Sequence, residues 1–575
     1  MVKLVWIFLI TVFLLTYGIK ERLFIYRNIF ILPIFLFFIW TLITLNRCTN
    51  IFAGLYNILV LLLFVTLYIS LENLVVRDTI LIDIFIKYVV FISIVVSIYG
   101  LVQVFGIDFI KWQGVRSALS TLGRRNFAGE YLVMVIPYVY YLLYKEKKWY
   151  LYIILLLLIS HLVFTFTRAS YIAFFISSIV FFILAGKEIS LKWRVVFLIC
   201  ILFFAGECFP GIATFEKGTL KSRFLIWNIT LKMIKKNPLM GVGPGNFVVM
   251  YPYYAIGEEE ALKGTSLLVD RAHNDYLEIC AELGIPGFIL FLYFLYCFFK
   301  ICSVLYKEGG KERRLLTAGI VSSVVAICIN ALASFPFGNP TTLLLFWANV
   351  SFAGGMYRKD IGNGNITVKK EIPYILLKIY LLIFIAGGFV LSVMGIRASR
   401  YIYIARNTYG MVSLKSAEKA VKNNPFSFEC PFISAMIATR QGEYEKAYRF
   451  ILMAKRLYPH SVNVYNNLGL ICFQLGRFNE AEESYLYALK LNPSAPRIYS
   501  NLGVLYMNTD RYDEAITCFK KSIFLKPDFD LAYFNLGLTY YLKNDYKNAE
   551  IYFKKTLDIN PEFNDARELL SKLGK

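Results

Sequence analysis

Only three histidines occur in the 575 residues, and one of them, His273, stands in "RAHNDYLEICAELGIPG" (271–287), where a polar start runs straight into an apolar helix. A neutral imidazole can take a proton from an attacking hydroxyl, because its unperturbed pKa of about 6.5 lies near ambient pH. Arg271, two positions earlier, would help to keep it neutral. Other arginines recur near helix ends in the first half of the chain: Arg116, Arg124, Arg125, Arg168 and Arg223. Guanidinium groups bind phosphates bidentately, so such a set suits an anionic partner. Each residue also has a plainer reading. A histidine at a boundary can simply hydrogen-bond a loop carbonyl, and a lone arginine can snorkel toward lipid phosphates.

The elements that would hold these residues are membrane helices. Hydrophobic residues make up 58% of the chain and aromatics 17%, and mean hydropathy is +0.57. Apolar stretches near the roughly 20 residues needed to cross hydrocarbon recur until about residue 395. Hydropathy gives about twelve spans, near residues 3–18, 28–45, 51–70, 84–105, 126–144, 149–166, 168–186, 193–209, 276–305, 315–334, 341–356 and 373–395. The first is read as a retained span, since no small-residue cleavage site follows it. Lys and Arg cluster in the odd-numbered connections, which the positive-inside rule makes cytoplasmic. The connections at 106–125, around Arg168, at 210–275 and at 335–340 then face outward, and so do both termini. The arginines above thus lie on the side where the rule expects no basic excess. The formal charge of +22 is spread through loops, which fits membrane topology and argues against nucleic acid as a partner. The ten cysteines form no CxxC pair, so they suggest neither a zinc site nor a disulfide framework.

The outward stretch 210–275 is too long and too patterned for a plain connector. Arg223, Ile226, Trp227, Thr230 and Met233 recur at helical spacing, as in an amphipathic helix near the membrane surface. "NPLMGVGPGNF" then breaks that helix, with Gly241, Gly243 and Gly245 permitting tight turns. Such a turn can cradle phosphate, yet it lacks a GK[ST] ending and reads equally as an ordinary turn. At the start of the ninth span, Asp275 as N-cap and Glu278 at N3 would form a capping box, with His273 and Asn274 just before it.

Beyond residue 395 the composition turns polar. Residues 460–493, 494–527 and 528–561 align without gaps, keeping Leu468, Leu502 and Leu536, then Gly469, Gly503 and Gly537, then Ala481, Ala515 and Ala549, then Pro493, Pro527 and Pro561 in register. This 34-residue period resembles the tetratricopeptide repeat. Ala447 and Pro459 mark a degenerate copy before them, Pro425 hints at another, and "EFNDARELLSKLG" suits a solvating cap. The expected organisation is therefore all-α: a polytopic membrane bundle over 1–395 and a repeat solenoid over 396–575. The solenoid would recruit a protein partner.

The ordered set "LGRRNFAGEYL" (122–132), "TFTRASYIAFF", "SRFLIW", "NPLMGVGPGNF" and "RAHNDYLEICAELGIPG" resembles the O-antigen ligase family over roughly residues 50–355. Members are polytopic glycosyltransferases that include O-antigen ligases, protein O-oligosaccharyltransferases and surface-polysaccharide polymerases. The resemblance implies transfer of glycan from an undecaprenyl diphosphate carrier, at the outer face of the bacterial inner membrane, to a lipid, glycan or protein acceptor. It puts Arg168 and Arg223 on the donor diphosphate, with Arg124, Arg125 and Arg271 in support, and makes His273 the base that activates the acceptor. Gly241, Gly243, Gly245 and Asn274 are expected to shape the loop. No metal or other cofactor is expected, because the carrier already supplies a good leaving group. At "TRAS" the family more often has Gly after the Arg. Two other classes remain at this stage, a polysaccharide or lipid-carrier transporter and a membrane-tethered repeat scaffold. Few charges within spans argue against the first, and the ordered Arg and His set argues against the second.

Overall fold

A computed structural model describes residues 24–26, 29–107, 122, 125–187, 217–256, 269–361, 369–371 and 393–573. The contacts divide the chain into two compact units, one drawn from Met1–Phe247 and Asp270–Ser392, the other from Val248–Val269 and Val393–Lys575. Among the described residues the architecture is helical, apart from a short antiparallel ribbon in which β1 (Phe24–Tyr26) pairs with β2 (Lys369–Glu371).

In the first unit the described helices are α1 (Ile31–Thr44), α2 (Ile51–Arg77), α3 (Ile80–Val104), α4 (Arg125–Glu146), α5 (Tyr150–Phe164), α6 (Arg168–Leu184), α7 (Lys217–Lys236), α9 (Asp275–Glu308), α10 (Lys311–Asn330) and α11 (Pro340–Ile361), while α8 (Phe247–Tyr254), beyond its first residue, is assigned to the second. Helices α2, α3, α4 and α9 are long and apolar enough to cross a membrane by length and composition, and α5 and α6 are shorter apolar helices. The expected spans at 3–18 and 193–209, and that at 373–395 up to residue 392, lie outside the described residues, so a count of twelve is not established.

Helix α4 is buried from Ala128 to Leu143, with α10, α6 and α5 packed around it. Its tyrosines cannot leave hydroxyls unpaired in an apolar interior. Tyr138 donates to Asn349 Oδ1 at 2.8 Å, and Tyr141 donates to Asp83 Oδ1 at 2.7 Å, where Lys145 also binds. Gly129 lets α4 approach α6, since a Cβ there would lie 2.4 Å from Thr167 Oγ1 and 2.6 Å from Ser170 Oγ. That approach brings the start of α6, with Arg168, close to the start of α4, with Arg125.

Helix α9 breaks at its tenth residue of thirty-four. Gly284 takes φ 71° and Pro286 has no amide hydrogen, so the carbonyls before the break lose their helical donors. The glycine-rich turn supplies others: Val242 N donates to Ala281 O and Gly243 N to Glu282 O, both at 2.9 Å. Trp40 Nε1 donates to Leu283 O at 2.8 Å. In return, Ile285 N donates to Pro238 O at 2.8 Å.

The second unit stacks helix pairs: α12 (393–407) with α13 (Gly410–Asn423), α14 (Glu429–Arg440) with α15 (Tyr444–Leu457), α16 (Val462–Gln474) with α17 (Phe478–Leu491), α18 (Pro496–Asn508) with α19 (Tyr512–Leu525), and α20 (Asp530–Leu542) with α21 (Tyr546–Ile559). Helix α22 (Asn564–Leu573) closes the array and buries Ala566. Each repeat glycine faces an aromatic ring of its partner helix, Gly469 on Tyr485, Gly503 on Phe519 and Gly537 on Phe553, at distances that leave no room for a Cβ. The 34-residue register follows from this repeated contact.

A Cβ at position 284 would lie 2.1 Å from Leu239 O on a left-handed backbone, whereas Gly310 has nothing within 4 Å. Gly284→Ala should therefore destabilise the protein by about 2 kcal/mol or more, and Gly310→Ala, which meets no clash but replaces the N-cap glycine of α10, should cost about 1 kcal/mol or less. Thermal unfolding in detergent followed by size-exclusion fluorescence checks both.

Candidate active site

The segment before α9 is held from several directions. Asn274, not Asp275, is the N-cap: its side chain accepts from Leu277 N at 3.0 Å. The capping box expected on Asp275 and Glu278 is therefore not formed, since the N-cap is one residue earlier and its N3 position is Leu277. Asp275 is drawn off by a distant partner, accepting from Phe337 N at 2.8 Å, while its own amide donates to Ala331 O. Glu278 still reaches back, accepting from Ala272 N at 2.8 Å and from Arg271 Nη1 at 2.6 Å. Trp227 Nε1 donates to Ala272 O at 3.0 Å. Between these anchors His273 takes φ 52°, a left-handed conformation that is uncommon for residues other than glycine. Its half-buried ring lies edge-on to Phe335, with centroids 5.3 Å apart.

Arg223 projects from α7 and donates to Ala333 O at 2.9 Å. Burial lowers its pKa, and the positive charges of Arg168 and Arg125 lower it further. Three cations from three helices therefore share one electrostatic neighbourhood. Arg125 begins α4 in an exposed position, and Arg168 is the first residue of α6. Arg271 differs, because the adjacent Glu278 carboxylate raises its pKa and holds its guanidinium. Arg124 and Arg116 lie outside the described residues.

The glycine-rich turn is occupied structurally. Gly241 N donates to Asn237 O, Val242 and Gly243 answer the carbonyls of broken α9, and Phe247 N donates to Glu282 Oε1 at 3.0 Å. A Cβ at Gly243 would lie 2.5 Å from Cys48 Sγ, and one at Gly245 would lie 2.7 Å from Asn57 Nδ2. Of the two roles open to this turn, these contacts serve the structural one.

A second loop, 331–339, escaped the sequence reading as a site element. It carries the acceptor for Arg223 at Ala333, the ring against His273 at Phe335 and the amide for Asp275 at Phe337. Buried Glu130 of α4 accepts from Ser334 Oγ at 2.5 Å and from Asn339 Nδ2 at 3.4 Å. One signal was available in the sequence: a carboxylate inside an apolar span is costly and marks a partner. Among the described residues, no group of three His, Cys, Asp or Glu side chains could hold a metal ion.

Residues 153–292 match the O-antigen ligase family, and residues 469–510, 496–529 and 531–563 match tetratricopeptide repeat families. The chain carries an O-antigen ligase-like domain followed by tetratricopeptide repeats. The ligase match takes in Arg168, Arg223, the glycine-rich turn and His273, and stops short of Arg125 and Glu130. No curated protein matches the chain. Among solved structures it is similar to YrrB, described as a repeat protein with an unusual peptide-binding site, at 21% identity, covering 27% of this chain and 81% of that one with a TM-score of 0.25. It is also similar to MamA, at 26% identity with coverage of 27% and 90% and a TM-score of 0.25. MamA from Desulfovibrio magneticus RS-1 gives 19% identity, coverage of 30% and 98%, and a TM-score of 0.27.

The arginines separate by role in a stability measurement. Arg271→Ala strips the charged partner from Glu278, whose side chain is only 7% exposed, and leaves it the Ala272 amide alone. Allowing for the partial exposure of Arg271, it should cost about 2 kcal/mol. Arg125→Ala at the exposed start of α4 should change stability by less than about 0.5 kcal/mol. Melting temperatures of the two purified variants report the difference.

Proposed function

We propose that the protein transfers a glycan from an undecaprenyl diphosphate-linked donor to an acceptor hydroxyl at the outer face of the bacterial inner membrane. The observation that carries this reading is that one loop fastens both halves of the chemistry: Ala333 holds Arg223, and Phe335, two residues on, packs against His273. An anion-binding group and a proton acceptor are thereby kept at a fixed separation, as a displacement at a sugar carbon requires.

In the proposed step, the acceptor oxygen forms a bond to the anomeric carbon while the bond from that carbon to the diphosphate oxygen breaks. The bonding pair leaves with undecaprenyl diphosphate, and the acceptor proton passes to an imidazole nitrogen of His273. Negative charge grows on the diphosphate as it departs. Arg223 and Arg168, with Arg125 behind them, meet that charge with donors already in position, so little reorganisation is needed. Because the carrier is a good leaving group, the reading needs no metal. Arg271 has a supporting part, since its bond to Glu278 helps to fix the backbone on which His273 stands.

In this reading the membrane domain spans residues 1–395, and the repeat domain, 396–575, faces the outer compartment and recruits a protein acceptor or assembly partner. Ligase, polymerase and protein oligosaccharyltransferase chemistry differ only in whose hydroxyl attacks.

Purified protein supplied with undecaprenyl diphosphate-linked glycan should release the lipid diphosphate when an acceptor is present. His273→Ala should slow release by about 10²- to 10⁴-fold. Arg223→Ala should slow it by about 10²-fold or more, with partial recovery in Arg223→Lys. Release at the wild-type rate in both alanine variants would remove the catalytic assignment.

A further inference from the structure

Helix α12 has two apolar faces, and the repeat unit uses one. Ala398 and Ala405 are buried, with Tyr401 and Ile402 partly so, against α13 and α14. Ser413 Oγ donates to Ala405 O at 2.6 Å, fixing the hairpin, and Ser434 Oγ of α14 donates to Ala417 O at 3.0 Å, tying α13 to the next pair. The other face holds Ile396, Arg400 and Tyr403 at i, i+4 and i+7, and it runs into a turn that presents Tyr409, Met411 and Val412. Tyr403 and Met411 are 70% exposed and Tyr409 is 87% exposed. Large apolar side chains grouped in this way are uncommon on a surface that meets only water.

Charge identifies what covers them. Residues 393–422 contain six Lys or Arg (Arg397, Arg400, Arg406, Lys415, Lys419 and Lys422) and a single acid, Glu418, whereas the three repeats over 460–561 hold eleven of each sign. Residues 423–459, between them, hold five basic and three acidic residues, so the basic excess is greatest in the hairpin with the spare apolar face. In sequence, the hairpin follows directly on the apolar run 373–395, so the described part of α12 lies where the hydrocarbon-length stretch ends. Apolar and aromatic side chains among arginines, immediately beside such a stretch, are the pattern of a segment lying in a membrane interface.

We propose that the α12–α13 hairpin rests on the bilayer, with Tyr403, Tyr409 and Met411 in the headgroup layer and Arg397, Arg400 and Arg406 on anionic lipid phosphates. The repeat array is then held to the membrane by its first helix pair and presents the following pairs to partners. This contact is independent of the glycosyl-transfer reading.

Hydroxyl-radical footprinting of the full-length protein in nanodiscs tests it, because Tyr and Met are among the most readily oxidised side chains. Phe524, 75% exposed on α19, serves as the water-facing reference. In phosphatidylglycerol discs, oxidation at Tyr403, Tyr409 and Met411 should fall several-fold below that of Phe524. The protection should weaken in phosphatidylcholine discs, in high salt and in the R397Q/R400Q/R406Q variant. Oxidation matching the reference in phosphatidylglycerol overturns the proposal. So does protection that ignores lipid charge and the arginines, and so does protection that tracks protein concentration, which would make a second copy the occupant.

Discussion

A helix that breaks inside an apolar interior leaves carbonyls that must find donors elsewhere, and this requirement organises the membrane unit. Helix α9 breaks at Gly284 and Pro286, and the freed oxygens of Ala281, Glu282 and Leu283 are answered by Val242, Gly243 and Trp40. In water such an exchange would be nearly neutral, but where water is absent each unanswered carbonyl costs several kcal/mol. The turn that supplies the donors must therefore stay against the break. It ends α7, which carries Arg223, and it faces the part of α9 that begins beside His273. A backbone requirement thus fixes the distance between two side chains that are fifty residues apart in sequence.

The second clasp is the loop 331–339. It is polar backbone at the end of a bundle, and nearly every group it offers is taken by a different element: Glu130 of α4, Arg223 of α7 and Asp275 of α9. The carboxylates are buried and hydrogen-bonded, as buried charges must be. Because Asp275 is committed to Phe337, the helix is capped by Asn274 and the residue before it, His273, is left in a left-handed conformation. Strained backbone held by its surroundings is a frequent companion of a working site.

Periodic and compositional features were legible from residues alone. The repeat register can be read off Leu468, Gly469, Ala481 and Pro493 because each recurs against the same kind of neighbour, and the structure shows that neighbour as Tyr485, Phe519 or Phe553. Arg168, Arg223 and His273 stand out because charge at a membrane boundary is costly. Long-range pairing was not legible. In "AHND" either Asn274 or Asp275 can cap a helix, and the choice falls to Phe337, sixty-two residues away. The glycine-rich turn carries no mark that its amides belong to a broken helix instead of a phosphate. Glu130 was visible as an acid in an apolar span, but its partners at Ser334 and Asn339 are more than two hundred residues distant.

The central claim is a division of labour in which arginines hold the diphosphate and His273 handles only the proton. Equilibrium binding of glycan-free undecaprenyl diphosphate to the wild type, Arg168→Ala/Arg223→Ala and His273→Ala tests it without turnover. The account predicts that the arginine variant loses most of its affinity while the histidine variant binds as the wild type does. Equal binding by all three, or loss in the histidine variant alone, would contradict it.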